Sequence, residues 1–260
     1  MQITQLQDDR RPVLVVSHER SGTHFTMNSV GGAFGYISSP WIDLDRHQIN
    51  INYYYPGKIE ETLQELAGLR PANTVKSHHE FSFFAELIQT AASAYHLIYV
   101  YRHPADVLIS YWRMLATLPW VAGPSSATAL EFAAAAPMGH LMRYQYRQYP
   151  TMLDRWANHV SGWTAAAAKN EAIHLVRYED LAGDYAGTVG ALGVRLGLTP
   201  GDLTPPSRTE KVVTGGPVRF DPGPEAVNRA AVAKLAFGRH PQLMGRLGYD
   251  ARGVRDEAAA

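Results

Sequence analysis

Three short runs in this chain combine cations, hydroxyls and imidazoles at spacings that could handle a charged oxygen group. The first, Arg20-Ser21-Gly22-Thr23-His24, follows the apolar run Pro12–Ser17. A turn of small residues feeding a helix aims backbone N–H groups and the positive helix end at one spot, which suits a phosphate or a sulfate. Arg20 adds a full positive charge, and Ser21 and Thr23 add hydroxyl donors. The plainer alternative is an ordinary capped helix start, with Ser21 or Thr23 as the N-cap. The run is not the G-x-x-x-x-G-K-[ST] phosphate loop, because Gly22 is followed by Thr23-His24.

The second run is Lys76-Ser77-His78-His79. In an extended segment, alternation puts Lys76 and His78 on one face and Ser77 and His79 on the other. A Lys beside a His can stabilise charge next to a general base. The alternative is a solvated polar turn at a strand end. Adjacent imidazoles on an extended segment make a poor pair of metal ligands, and no H-x-x-x-H or H-E-x-x-H spacing occurs, so no metal is expected. The third run is Arg102-His103-Pro104 with Ser110 eight residues beyond the arginine. Arg102 sits where a strand delivers its last side chain, and Ser110 falls two turns into the following helix. The alternative pairs Arg102 with Asp106 as a structural salt bridge.

The elements that must position these runs alternate strand and helix. Apolar runs predict strands at Pro12–Ser17, Thr74–Lys76, Tyr95–Arg102 and Ile173–Arg177. Helical spacing predicts helices at Gly22–Phe34, Lys58–Leu69, Ser82–Ala92, from Pro104 onward, Ala127–Arg147, Thr151–Lys169, Tyr185–Leu196 and Pro224–Phe237. Tyr36–Pro56 reads as irregular. Such alternation implies an α/β fold, a central parallel sheet flanked by helices, with ligands at the carboxyl ends of its strands. Residues 1–260 read as a single domain, with flexible ends at 1–11 and 251–260.

Composition narrows the function classes. An apolar fraction of 46% against 18% charged residues excludes a disordered chain. Lys+Arg and Asp+Glu both number 24, so no net charge draws the protein to nucleic acid or an anionic membrane. Any bound anion must therefore meet a local cluster of cations. With no cysteine, disulfides, thiolate metal sites and a cysteine nucleophile are excluded. No stretch approaches roughly 18 consecutive apolar residues, and Met1–Arg11 lacks the apolar region of a secretory leader. A cytoplasmic protein without a membrane span is expected.

Taken in order, R-S-G-T after the first strand, K-S-H, Y-R-H-P-x-D-V-x-x-S and R-Y-E-D-L resemble the sulfotransferase family, over about Val13 to Leu181. The resemblance implies the P-loop-like fold of the nucleotide kinases. It also implies 3′-phosphoadenosine 5′-phosphosulfate (PAPS) as donor, with adenosine 3′,5′-bisphosphate (PAP) as product. By this similarity Arg20, Ser21, Gly22, Thr23 and His24 wrap the 5′-phosphosulfate. Phe25 stacks on adenine, Tyr178 contacts it, and Arg102 with Ser110 binds the 3′-phosphate. Lys76 and His78 match the catalytic Lys-x-His, with His78 as base and Arg20 sharing the charge. Arg20 stands where the family usually has Lys, and His24 where it has a hydroxyl residue, so the role of His24 is open. That of His79 is open too. The segment closing over the 3′-phosphate has no clean counterpart; Lys211 and Arg219 lie in about the right place. The dimerisation motif of the animal cytosolic members has no match, and a homodimer is left open.

The expected reaction is transfer of a sulfuryl group to a hydroxyl or amine of a small-molecule acceptor, with no metal and no nucleic-acid partner. Two alternatives remain: an ATP-dependent kinase-like phosphotransferase, and a non-catalytic adenosine-bisphosphate-binding module. Tyr53–Tyr55, Phe81/Phe83/Phe84, Trp112/Trp120 and Tyr144/Tyr146/Tyr149 could line an apolar acceptor pocket or belong to the core.

Overall fold

The computed structural model describes residues 10–44, 56–68, 73–117, 122–207 and 227–249. They form two compact units. The first comprises the described residues up to Arg102, Arg143–Tyr146, and Gly162 onward to Ser207; the second comprises the rest.

A five-stranded parallel sheet centres the first unit: β1 (Val13–Ser17), β2 (Ile37–Asp43), β3 (Asn73–Ser77), β4 (His96–Tyr101) and β5 (Ile173–Arg177), in the order β2-β3-β1-β4-β5. The helices, in chain order, are α1 (Thr23–Phe34), α2 (Pro56–Ala67), α3 (Ile88–Ala94), α4 (Pro104–Thr117), α5 (Ala129–Ala134), α6 (Met152–Ala167), α7 (Tyr178–Gly183), α8 (Tyr185–Leu196), α9 (Arg229–Arg239) and α10 (Pro241–Arg246). Every residue of β1 is buried, as a strand covered on both faces requires. Alternation sorts its side chains. Val13 and Val15 pack with Phe25, Met27 and Val30 of α1 and Val189 and Leu192 of α8. Leu14 and Val16 turn to Leu63 of α2, Ala91 of α3 and Trp163 of α6. The Trp163 indole stacks on Tyr99 at 5.4 Å and donates to the His79 carbonyl at 3.1 Å. The sheet grows to one side of β1 through β3 and to the other through β4, so β1 ends at a topological switch point.

In the second unit Arg229 of α9 grips Asp106 of α4 with two hydrogen bonds, at 2.7 and 2.8 Å. Leu153, Trp156 and Val160 form a fully buried stripe on α6, at the spacing expected of one helix face. Among the described residues no helix is long and apolar enough to cross a membrane.

Several expectations change. The stretch after Tyr36 contains an ordered strand, β2, rather than irregular chain throughout. Pro40 lies within it and cannot donate to a ladder, which a strand at the sheet edge tolerates, and the register shifts between Ile37 and Ile42. The helix expected over Ala127–Arg147 shortens to α5, capped by the Thr128 side chain accepting from the Glu131 N–H. Ala135 turns extended ahead of Pro137, and Gly139 follows at φ 59°, where a Cβ would meet the Ala122 carbonyl oxygen at 2.7 Å. Arg10 and Arg11, expected within a flexible end, are tied down. The Arg11 carbonyl accepts from the Tyr36 hydroxyl at 3.0 Å, and Arg10 lies over the Tyr36 ring at 4.6 Å.

Candidate active site

The carboxyl edge of the sheet carries the candidate chemistry. Parallel register sets Asp43 beside Lys76 and Ser77 beside Val16, and Tyr101, just before Arg102, beside Arg177, just before Tyr178. Residues up to 162 positions apart in the sequence (178 − 16) thus share one sheet edge.

The turn after β1 is not an ordinary capped helix start. The N-cap of α1 is Gly22 at φ 98°, which has no side chain to cap the helix. Thr23 Oγ1 instead shares a 2.6 Å hydrogen bond with Ser17 Oγ, across the turn. Ser21 is fully buried, and among the described residues its hydroxyl has no hydrogen-bond partner. An orphaned hydroxyl at a twelve-residue helix whose N-cap is a glycine is what an anion-holding turn requires. Arg20, at φ 70°, also occupies the left-handed region, so cation and glycine alternate in the backbone hand from which concave anion sites are built. Gly22 is doubly constrained, because a Cβ there would lie 2.3 Å from Cδ2 of Tyr178.

Lys76 and His78 occupy one face, with Lys76 Nζ 3.4 Å from His78 Nε2, while Ser77 Oγ and His79 Nδ1 meet at 3.0 Å on the other. Both are largely buried, at 8% and 9% exposure, so this is not a solvated turn. His78 Nδ1 lies 2.9 Å from the Ser17 carbonyl oxygen. That oxygen only accepts, so Nδ1 carries the hydrogen and Nε2 is left with the lone pair. Asp43 holds the Lys76 ammonium at 3.0 Å within a nearly buried ion pair. Sequence reasoning missed Asp43, whose signal was its place at the end of the run Trp41-Ile42-Asp43. Tyr144, read from the sequence only as one of a cluster of aromatics for a pocket or the core, packs its ring 5.6 Å from His78 and 5.3 Å from His79 with a backbone φ of 68°.

His24 sets its ring edge-on to Trp41 at 4.6 Å. Burial first, then the charges of Lys76, His78 and Arg20, push its pKa down to about 3. His24 is therefore neutral at pH 7 and a weak proton acceptor. His79 is 1% exposed, wedged between Phe83 and Tyr144. Of the three imidazoles, His78 alone combines a fixed tautomer with a lone pair facing a cation.

Arg102 lies over the Tyr178 ring with its guanidinium carbon 4.3 Å from the centroid. Phe25 is in the core, with its ring 6.0 Å from Tyr178 and 6.2 Å from Tyr185. Ser110 belongs to the second unit, half-buried on α4. There the carboxylate of Asp106, the alternative partner considered for Arg102, forks onto Arg229. Lys211, Arg219, Tyr53–Tyr55 and Trp120 lie outside the described residues. Of the other aromatic candidates, Phe83, Phe84 and Trp112 are core, while Tyr146 is 48% exposed. Among the described residues no group of three His, Asp or Glu could hold a metal ion.

No curated protein matches this chain. Among solved structures, a mouse sulfotransferase complexed with PAP matches at 16% identity and a TM-score of 0.53, over 75% of this chain and 62% of that one. The chain thus spans less than two-thirds of that protein's length. A sulfotransferase from Alicyclobacillus acidocaldarius matches at 15% identity and a TM-score of 0.46, over 93% of this chain and 97% of the other. Retinol dehydratase, in a complex with retinol and PAP, matches at 21% identity and a TM-score of 0.47, over 73% and 61% of the two chains. Residues 10–212 match the family model described as the sulfotransferase domain, a span that includes the β1 turn, the Lys76–His78 pair, Arg102 and Tyr178. With that match over most of its length, the chain belongs to the sulfotransferase family.

Proposed function

We propose that this protein is a PAPS-dependent sulfotransferase acting on a hydroxyl or amine of a small-molecule acceptor, with His78 as general base. One observation carries the proposal: the His78 ring, locked through Nδ1 to the Ser17 carbonyl, points its Nε2 lone pair to within 3.4 Å of Lys76 Nζ. A module that only binds nucleotide has no need of that pair.

PAPS, when bound, supplies an activated sulfuryl group with PAP as its leaving group. The β1 turn fits the phosphosulfate end of such a donor, because the buried Ser21 hydroxyl has no partner among the described residues and the N-cap of α1 is a glycine. Arg20, Ser21, Gly22, Thr23 and His24 would hold that end. His24, kept neutral, presents a ring N–H without adding charge. Arg102 is assigned to the 3′-phosphate, with Ser110 as the resemblance pairs it. Tyr178 and Phe25 are assigned to the adenine. Lys76, oriented by Asp43, offsets negative charge developing at the reacting oxygens, and Arg20 does the same from the turn. His78 Nε2 takes the acceptor's proton. Positioning and charge stabilisation carry most of such a group transfer, by analogy with phosphoryl transfer. A cytoplasmic location and independence of metal are part of the same proposal, and a homodimer is compatible with it.

Thermal shift tests the donor assignment. PAP without Mg²⁺ is expected to stabilise the protein by about 2.7 kcal/mol at a hundredfold over its Kd. Stabilisation by Mg-ATP and not by PAP would overturn the assignment in favour of a kinase-like enzyme.

A further inference from the structure

The second unit contains a cleft of about 530 Å³ that the proposed transfer chemistry does not use. Three arginines, Arg147, Arg239 and Arg246, line it together with His240 and one acidic residue, Asp154. That carboxylate is fully engaged. Arg239 donates to both of its oxygens at 2.7 Å, His240 Nε2 lies 3.0 Å from Oδ1, and the Thr151 hydroxyl donates to Oδ2 at 2.8 Å. Among the described residues, three guanidiniums against one carboxylate leave two positive charges in the cleft.

The surplus resides on Arg147 and Arg246, neither of which has an acidic partner among the described residues. Arg147 is held in place nonetheless. It donates to the Asn158 side-chain oxygen at 2.7 Å and lies 5.5 Å from the Tyr149 ring centroid. A guanidinium held this way keeps other N–H groups for a planar or tetrahedral oxyanion, which arginine binds with two parallel hydrogen bonds. Tyr149 and Leu243 supply apolar wall, both at 7% exposure, and the volume is that of a small-molecule site.

We propose that this cleft is a binding site for a small organic anion, a molecule with an apolar body and one carboxylate, phosphate or sulfate group held by Arg147 and Arg246. The site goes beyond the sulfotransferase reading and does not rest on it.

The test is calorimetric titration of phenyl phosphate into the full-length protein, with and without saturating PAP. PAP is titrated separately, so that failure of the donor assignment registers on its own. Phenyl phosphate is expected to bind in both cases, and Arg147→Gln/Arg246→Gln to weaken it by at least about tenfold. Both side chains are exposed, and far-UV circular dichroism confirms the fold of the variant. Gln242→Trp, which fills the cleft without changing its charge, is expected to weaken binding as well. Inorganic phosphate and phenol are each expected to bind at least about tenfold more weakly than phenyl phosphate, because each lacks one half of the ligand. Unchanged affinity in the double-arginine or Gln242→Trp variant would overturn the proposal. So would equal affinity for phosphate or phenol, or no saturation of the wild type by about 10 mM.

Discussion

Gly22→Ala is the substitution whose effect the geometry fixes most tightly. It carries two costs. The backbone at φ 98° lies in the left-handed region, where an L side chain costs roughly 1–2 kcal/mol. The new methyl would lie 2.3 Å from Tyr178 Cδ2 and 2.7 Å from Cε2, too close for any relaxation that leaves the ring in place. Swinging the ring away breaks its stack with Arg102, worth about 0.5–2 kcal/mol. It also breaks the edge contact with Phe25, worth about 0.5–1.5 kcal/mol. A net loss near 3 kcal/mol follows, well above the typical point substitution. For a chain of this size that lowers Tm by roughly 6–12 °C. The assay is thermal unfolding of Gly22→Ala, Tyr178→Ala and the double variant. The cycle isolates the clash, and the double variant is expected to regain about 1 kcal/mol or more relative to additivity. If Gly22→Ala melts within about 2 °C of wild type, or the two changes simply add, the lock between turn and ring is wrong.

Asp43→Asn leaves the Lys76 ammonium in a nearly buried site without its counter-charge. Breaking such a pair costs about 3–5 kcal/mol, which urea unfolding measures, and an unchanged midpoint would contradict the ion pair. His24 has a folded-state pKa near 3 against an ordinary 6.5, so below pH 6.5 the unfolded chain binds the extra proton. Its stabilising effect is complete above about pH 6.5 and is lost as the pH falls toward 3. His96, lowered to about 4 chiefly by burial, acts in the same direction. Tm should therefore fall between pH 7 and pH 5, and fall less in His24→Asn; identical slopes would refute the neutral, half-buried His24.

What was legible in the sequence was local. The β-branched run of β1, the runs of β4 and β5, and the alternation separating Lys76 and His78 from Ser77 and His79 all follow from neighbouring residues. What was not legible depends on residues far apart along the chain. Asp43 is recognisable as the partner of Lys76 only once β2 lies beside β3, and Pro40 hides that strand from any reading of propensity. Gly22 reads as a turn glycine, yet its tightest constraint comes from a ring 156 positions later (178 − 22). The capped-helix alternative for the β1 turn was settled by two hydroxyls: Thr23 bonds across the turn to Ser17, and Ser21 has no partner among the described residues. Asp106 could not be assigned from its own segment, because the arginine that grips it comes from α9.

The central claim is sulfuryl transfer with His78 as the base. It is tested most directly by following labelled sulfate from PAPS into a panel of phenols, alcohols and amines, in the presence of EDTA, with the wild type and His78→Ala side by side. The account predicts transfer by the wild type to at least one acceptor. It also predicts a loss of about 10²–10⁴ in kcat for His78→Ala, with PAP binding retained. Near-normal turnover by His78→Ala, or no transfer from PAPS to any acceptor by a wild-type protein that binds PAP, would contradict it.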